Sequence, residues 1–183
     1  MPVYVSLLRG INVGGNKRIK MADLKGLYEA LGLRSVSTLL QSGNVVFESD
    51  TADASGLTSK LEAAIVHHFG FESKVMLRSG QRLAEIVAGV PLTPEQLAEP
   101  SRILVTFLRE TPSDDRIAAL HEAHAGPEKL QVRGDTLYAF YPDGMGPSKL
   151  DNAFVERRLK TLGTGRSWNT VTKLLALVGS SGV

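Results

Sequence analysis

Apolar and polar residues alternate from the second position, through Val3-Tyr4-Val5-Ser6-Leu7, and this period of two predicts a strand over residues 2–8. Glycine and asparagine then dominate Gly10-Ile11-Asn12-Val13-Gly14-Gly15-Asn16, a loop. Leu24, Leu27, Tyr28 and Leu31 recur at helical spacing, and Gly32 stands where a helix closes. Two strands follow, over 35–41 and 45–49, joined by Ser42-Gly43-Asn44, a turn suited to positive φ. Leu57, Leu61, Ala64, Ile65 and Phe69 mark a second helix, and Lys74-Val75-Met76-Leu77 a fourth strand.

That order is β-α-β-β-α-β, the split-βαβ or ferredoxin-like pattern. A short helix with Leu83, Ile86, Val87 and Val90 leads into the proline-punctuated stretch that holds Pro91, Pro94 and Pro100. The pattern then restarts. Val3-Tyr4-Val5-Ser6-Leu7-Leu8-Arg9 aligns with Ile103-Leu104-Val105-Thr106-Phe107-Leu108-Arg109, and Gly43-Asn44 with Gly134-Asp135 at a second hairpin. Ser113 is placed to cap a helix that carries Ile117 and Leu120. The tail is read as leaving the repeat, with helices near 150–162 and 170–178.

The expected fold is therefore α+β: two ferredoxin-like subdomains of the βαββαβ type, an internal duplication, plus C-terminal helices. The expected boundaries are residues 1–78, a helical connector over 79–100, and a second βαββα subdomain with C-terminal helices over 101–183. Both faces of the first strand carry apolar groups. Leaving Tyr4 or Leu8 in water would forfeit roughly 1.5–3 kcal/mol for each side chain that could be fully buried. One compact unit that covers both faces is the expectation.

Composition adds limits. At 43% hydrophobic and 22% charged, the chain is globular in type. It has no cysteine, which excludes disulfides, thiolate metal sites and cysteine nucleophiles, and suits a reducing compartment. Met1 leads straight into the first strand without a basic-then-apolar leader, so a cytoplasmic location without membrane contact is expected. The net charge of +2 is mild, but locally concentrated. Arg9, Lys17, Arg18 and Lys20 all precede the first acid, Asp23. Near the end, Lys149, Arg157, Arg158, Lys160, Arg166 and Lys173 face only Asp151 and Glu156.

Topology turns the first basic cluster into a candidate site. In a split-βαβ unit the first and second strands run the same way, so the loop after the first strand shares a sheet end with the 42–44 turn. Arg9, Asn12, Lys17, Gln41, Ser42 and Asn44, with the backbone of Gly14 and Gly15, would converge there, with no carboxylate among them. Such a set recognises oxyanions better than it performs acid–base chemistry. The loop is not a Walker loop, because Asn16 stands where its lysine belongs. The second candidate is Thr164-Gly165-Arg166-Ser167-Trp168-Asn169-Thr170, an arginine beside a helix start. Trp168 either stacks on a ligand or fills the core. His121 and His124 do not have the zincin spacing, and no metal or other cofactor is expected.

Four blocks carry a resemblance: Leu7-Leu8-Arg9-Gly10-Ile11-Asn12-Val13-Gly14-Gly15, Gln41-Ser42-Gly43-Asn44-Val45-Val46-Phe47, Ser148-Lys149-Leu150, and Arg166-Ser167-Trp168-Asn169-Thr170-Val171-Thr172-Lys173-Leu174. Together they resemble the domain-of-unknown-function family 1697 of bacterial proteins. The resemblance implies a pair of ferredoxin-like subdomains and no activity. It adds prominence to Lys149, Arg166, Asn169 and Lys173. The leading functional expectation is binding of a phosphorylated or otherwise anionic ligand, a nucleotide or nucleic-acid backbone. The alternatives are a small-molecule enzyme using Arg/Lys charge stabilisation, with Lys149 or Lys173 in that role, and a protein-interaction or assembly module. The oligomeric state is left open.

Overall fold

A computed structural model describes residues 1–181, so the last two positions of the expected second subdomain lie outside the described residues. The chain divides into two units: Met1–Val87 together with the residues from Thr172 onward, and Ala88–Val171.

In the first unit the elements run β1 (Val3–Leu8), α1 (Met21–Ala30), β2 (Arg34–Leu39), β3 (Asn44–Glu48), α2 (Ala54–Phe69), β4 (Val75–Ser79) and α3 (Gly80–Ala88). The sheet order is β2-β3-β1-β4 with every neighbour antiparallel. The alternation in β1 sorts its side chains by face. Tyr4 and Leu8 join Val45, Phe47 and Val75 against Leu24 and Tyr28 of α1 and Leu57, Leu61 and Ile65 of α2. Ser6 shares that face and hydrogen-bonds the Tyr28 hydroxyl at 2.8 Å, which satisfies two polar groups inside the core. Val5, Leu7, Val46 and Met76 point the other way and are also buried, so neither face of the sheet is left to water.

The second unit repeats this plan. After α4 (Pro94–Leu97), which opens on a Thr93/Gln96 capping box, come β5 (Ile103–Leu108), α5 (Asp114–Ala123), β6 (Lys129–Arg133), β7 (Thr136–Phe140), α6 (Asn152–Leu159) and β8 (Gly163–Ser167). The sheet order is β6-β7-β5-β8. Helix α7 (Trp168–Ser181) starts in this unit, and its residues from Thr172 belong with the first. Ser113 caps α5 as expected, through the Arg116 N–H.

The tail therefore does not leave the repeat. Residues 163–167, read from sequence as the approach to the last helix, form a strand against β5. Gly-Thr-Gly-Arg-Ser carries no apolar alternation because β5 crowds it. A Cβ on Gly163 would sit 3.0 Å from Thr106 Cγ2 and 3.1 Å from Leu108 Cδ2, and one on Gly165 3.1 Å from Leu104 Cδ2. The register also shifts the hairpin alignment by one residue. The carbonyls of Gly43 and Asp135, not of Gly43 and Gly134, accept from the equivalent Leu8 and Leu108 amides.

The corrected register exposes a stronger repeat at the fourth strands. Arg78 pairs with Val5, and Arg166 with Val105. Each guanidinium is buried, and each donates through Nη1 to the preceding carbonyl at 2.9 Å. Each following serine, Ser79 or Ser167, accepts an N–H from the first turn of the next helix. Gly163→Val is expected to cost about 1–3 kcal/mol in urea-denaturation stability, the usual penalty for overpacking a dense site.

Candidate functional site

The loop between β1 and α1, residues 9–20, turns on a run of left-handed residues: Gly10, Asn12, Gly14, Gly15 and Lys17 all have positive φ. Asparagine tolerates that conformation better than other non-glycine residues, and Asn12 (φ 54) uses its side chain as well. Its amide donates to the Ile19 carbonyl at 3.0 Å and to the Gln41 carbonyl at 2.7 Å, and its oxygen accepts the Ile19 N–H at 2.9 Å. One side chain thus closes the loop on itself and ties it to the β2–β3 hairpin. Lys17 Nζ donates to the Glu72 carbonyl at 2.8 Å, which anchors the loop to the segment before β4.

The loop and the hairpin therefore share one end of the sheet, as the strand order requires. Around them lies a groove of about 580 Å3, lined by Asn12, Gly15, Arg18, Ile19, Lys20, Asp23, Gln41 and Phe69. Of the expected site residues, Asn12, Gly15 and Gln41 face it. Gly14 is exposed on the same loop. Arg9 is half-buried, and its carbonyl accepts from Ser73. Ser42 and the fully buried Asn44 hold the hairpin: the Asn44 amide donates to the Leu39 carbonyl at 2.7 Å and to Ser42 Oγ at 2.8 Å.

Arg18, Ile19, Lys20, Asp23 and Phe69 also line the groove, outside the expected site. Arg18 and Lys20 were counted only as part of a basic cluster, and Asp23 brings a carboxylate to a site expected to have none. Phe69 supplies an aromatic wall with His68 edge-on at 4.7 Å, and Phe71 stacks on it at 6.3 Å. Lys20 occupies the N-cap of α1 without a side-chain cap, so its charge stands against the helix dipole. Two apolar side chains flank the residues of the 2.7 Å Asn12–Gln41 bond: Val13 is 67% and Leu40 54% exposed. Leu40 holds φ 59 without the reward of burial, a conformation that costs a branched side chain.

Among the described residues, the lining of that groove includes none of the C-terminal candidates. Arg166 is buried in β8, where it donates to Thr164 Oγ1 at 2.7 Å, and burial pulls its guanidinium down to about 10. Trp168 is half-buried at the start of α7, with Asn169 and Lys173 exposed on that helix.

Lys149 lines a second groove, of about 380 Å3, in the second unit, together with His124, Gly126, Pro127, Glu128, Pro147, Ser148 and Phe154. Here Ser148 Oγ donates a short hydrogen bond to Glu128 Oε1, and His124 Nε2 stands 3.4 Å from Oε2. The Glu128 side chain is only 6% exposed. Burial alone pushes its carboxyl up, but the Ser148 bond, its own backbone and the nearby His124 charge together hold it below the ordinary value of 4.5. Among the described residues no group of three or more His, Asp or Glu is arranged to hold a metal ion, and no helix is long and apolar enough to cross a membrane.

The architecture and grooves define a duplicated ferredoxin-like α+β protein with an elaborated loop end. The chain belongs to the family DUF1697, proteins of unknown function, whose model matches residues 1–138. It is also similar in structure to the conserved bacterial protein SP0830 from Streptococcus pneumoniae, at 25% identity and a TM-score of 0.74, over 97% of this chain and 98% of that one. No curated protein matches it.

Two outcomes follow from these geometries. Asn12→Ala and Asn12→Gly both lose the clamp, and alanine should cost about 1 kcal/mol more in chemical denaturation, because only glycine accepts φ 54 freely. A carboxyl held below its unfolded value stabilises the fold above that value and loses the contribution as pH falls through the lowered one. The stability gap between the native protein and Glu128→Gln, followed by urea titration, should therefore shrink as pH drops below 4.5.

Proposed function

We propose that the first unit binds a phosphate-bearing ligand, a nucleotide or nucleic-acid backbone, in the groove between the 9–20 loop and the β2–β3 hairpin. The observation that carries this reading is the divergence of the two copies at this end. The first unit spends residues 9–20 and 40–43 where the second manages with 109–113 and 134–135. Extra ordered loop is costly in conformational entropy, and it is concentrated where Arg18, Lys20 and a wall of aromatic rings meet.

Each component has a role in this reading. Arg18, whose Nε donates to the Gly15 carbonyl at 3.2 Å, and Lys20 contact the phosphate oxygens, Arg18 through its two terminal nitrogens. An anion beside Lys20 offsets the charge that opposes the α1 dipole. Phe69 offers a face to a base, as single-strand binders do. Asp23 would repel bare phosphate, yet it accepts from a ribose hydroxyl or a base amine. That favours a nucleotide unit over an inorganic anion.

Titration calorimetry of the full chain with inorganic phosphate, nucleoside diphosphates and a short single-stranded oligonucleotide tests the proposal. Binding is expected for the nucleotide-bearing probes, weakening with added salt, and the Arg18→Ala/Lys20→Ala double variant should lose at least about tenfold in affinity. No binding of any probe, or equal binding by the double variant, would overturn it.

A further inference from the structure

The second unit diverges at the opposite end of its sheet. Its α5–β6 connection runs over residues 124–128 against 31–33 in the first unit, and its β7–α6 connection over 141–151 against 49–53. These two enlarged connections form the 380 Å3 groove. The sheet register makes Glu128, the residue just before β6, the counterpart of Leu33, the residue just before β2. In the first unit that position is a buried leucine of the core. The fold therefore works with an apolar side chain here, and a buried carboxylate is a cost that packing does not require.

The surroundings are arranged to keep that carboxylate charged and fixed. Ser148 Oγ donates to one oxygen, the Leu150 N–H in turn donates to Ser148 Oγ at 3.0 Å, and the Tyr141 hydroxyl donates to the Leu150 carbonyl at 2.9 Å. His124 Nε2 is hydrogen-bonded with the Glu128 backbone carbonyl at 3.1 Å and stands 3.4 Å from the other carboxylate oxygen. Gly126 makes room, since a Cβ there would fall 2.1 Å from Glu128 Oε2 and 3.1 Å from His124 Cε1. A carboxylate has about four acceptor positions, and Ser148, the residue's own backbone and His124 together occupy no more than three, which leaves one for a ligand. The groove adds apolar walls from Pro127, Pro147 and Phe154, and the ammonium of Lys149.

We infer that this groove binds a small zwitterion of the amino-acid type, with Glu128 holding its ammonium group and Lys149 its carboxylate. An ionised carboxylate of low exposure favours a cationic N–H donor, and the exposed Lys149 favours an anionic end. The apolar walls of Pro127, Pro147 and Phe154 suit a hydrocarbon side chain carried on the one carbon that bears both charges. A volume of about 380 Å3 suits a small molecule rather than a polymer.

Calorimetric titration of the full chain with each of the standard free L-amino acids, with glucose and inorganic phosphate as controls, tests the inference. A subset of amino acids is expected to bind, and Glu128→Gln and Lys149→Ala should each weaken them by about tenfold or more. Lys149 is exposed, so its variant reads binding even if Glu128→Gln unfolds. Inorganic phosphate, an anion without an ammonium group, should not compete. The inference fails if no amino acid binds at millimolar concentration, if glucose binds in their place, or if Lys149→Ala binds as tightly as the native protein.

Discussion

Everything at the loop end of the first unit depends on one amide side chain. Strand order alone brings the exit of β1 and the β2–β3 hairpin to the same pole, but it does not hold a long glycine-rich segment in one shape. Asn12 does so by bonding both backbone groups of Ile19 and the carbonyl of Gln41. Each bond contributes about 1 kcal/mol net, which is modest against the entropy of ordering a loop. Their value lies in being concentrated at the one point where the loop meets the hairpin. Arg18 and Lys20 follow the Asn12 turn closely in the chain, so their positions are set by it.

Duplication offers an internal control that a single domain would lack. Features present in both units, such as the buried arginine of the fourth strand with its capping serine, belong to what the fold needs. Features present in one unit are the ones that stability does not explain. By this criterion the 9–20 loop and the Glu128 cluster stand out, while Arg166 and Ser167 recede into the common frame. The two copies have diverged at opposite ends of equivalent sheets, and each divergence coincides with a groove.

The fold was legible because both signals that define it are local: period two in the strands, and helical spacing with caps at Gly32 and Ser113. The exception, β8, failed for a tertiary reason. Glycine at 163 and 165 is dictated by side chains of β5, and no local pattern reports that. The candidate site was legible only as a juxtaposition. Topology placed Asn12 beside Gln41 and Asn44, but it could not show that Asn12 and Asn44 spend their amides on the backbone while Arg18 and Lys20 face the groove. Glu128 gave no signal at all. In sequence it is a glutamate after Gly-Pro, and only its burial beside His124 and Ser148 marks it.

The most direct measure of the central constraint is hydrogen exchange at the Ile19 amide, which donates to Asn12 Oδ1 at 2.9 Å. If the pole is pre-formed in the ligand-free protein, this amide should be protected well above the rate of an open loop, and Asn12→Ala should release it while the β1 amides stay protected. An Ile19 amide that exchanges freely in the native protein would contradict the account.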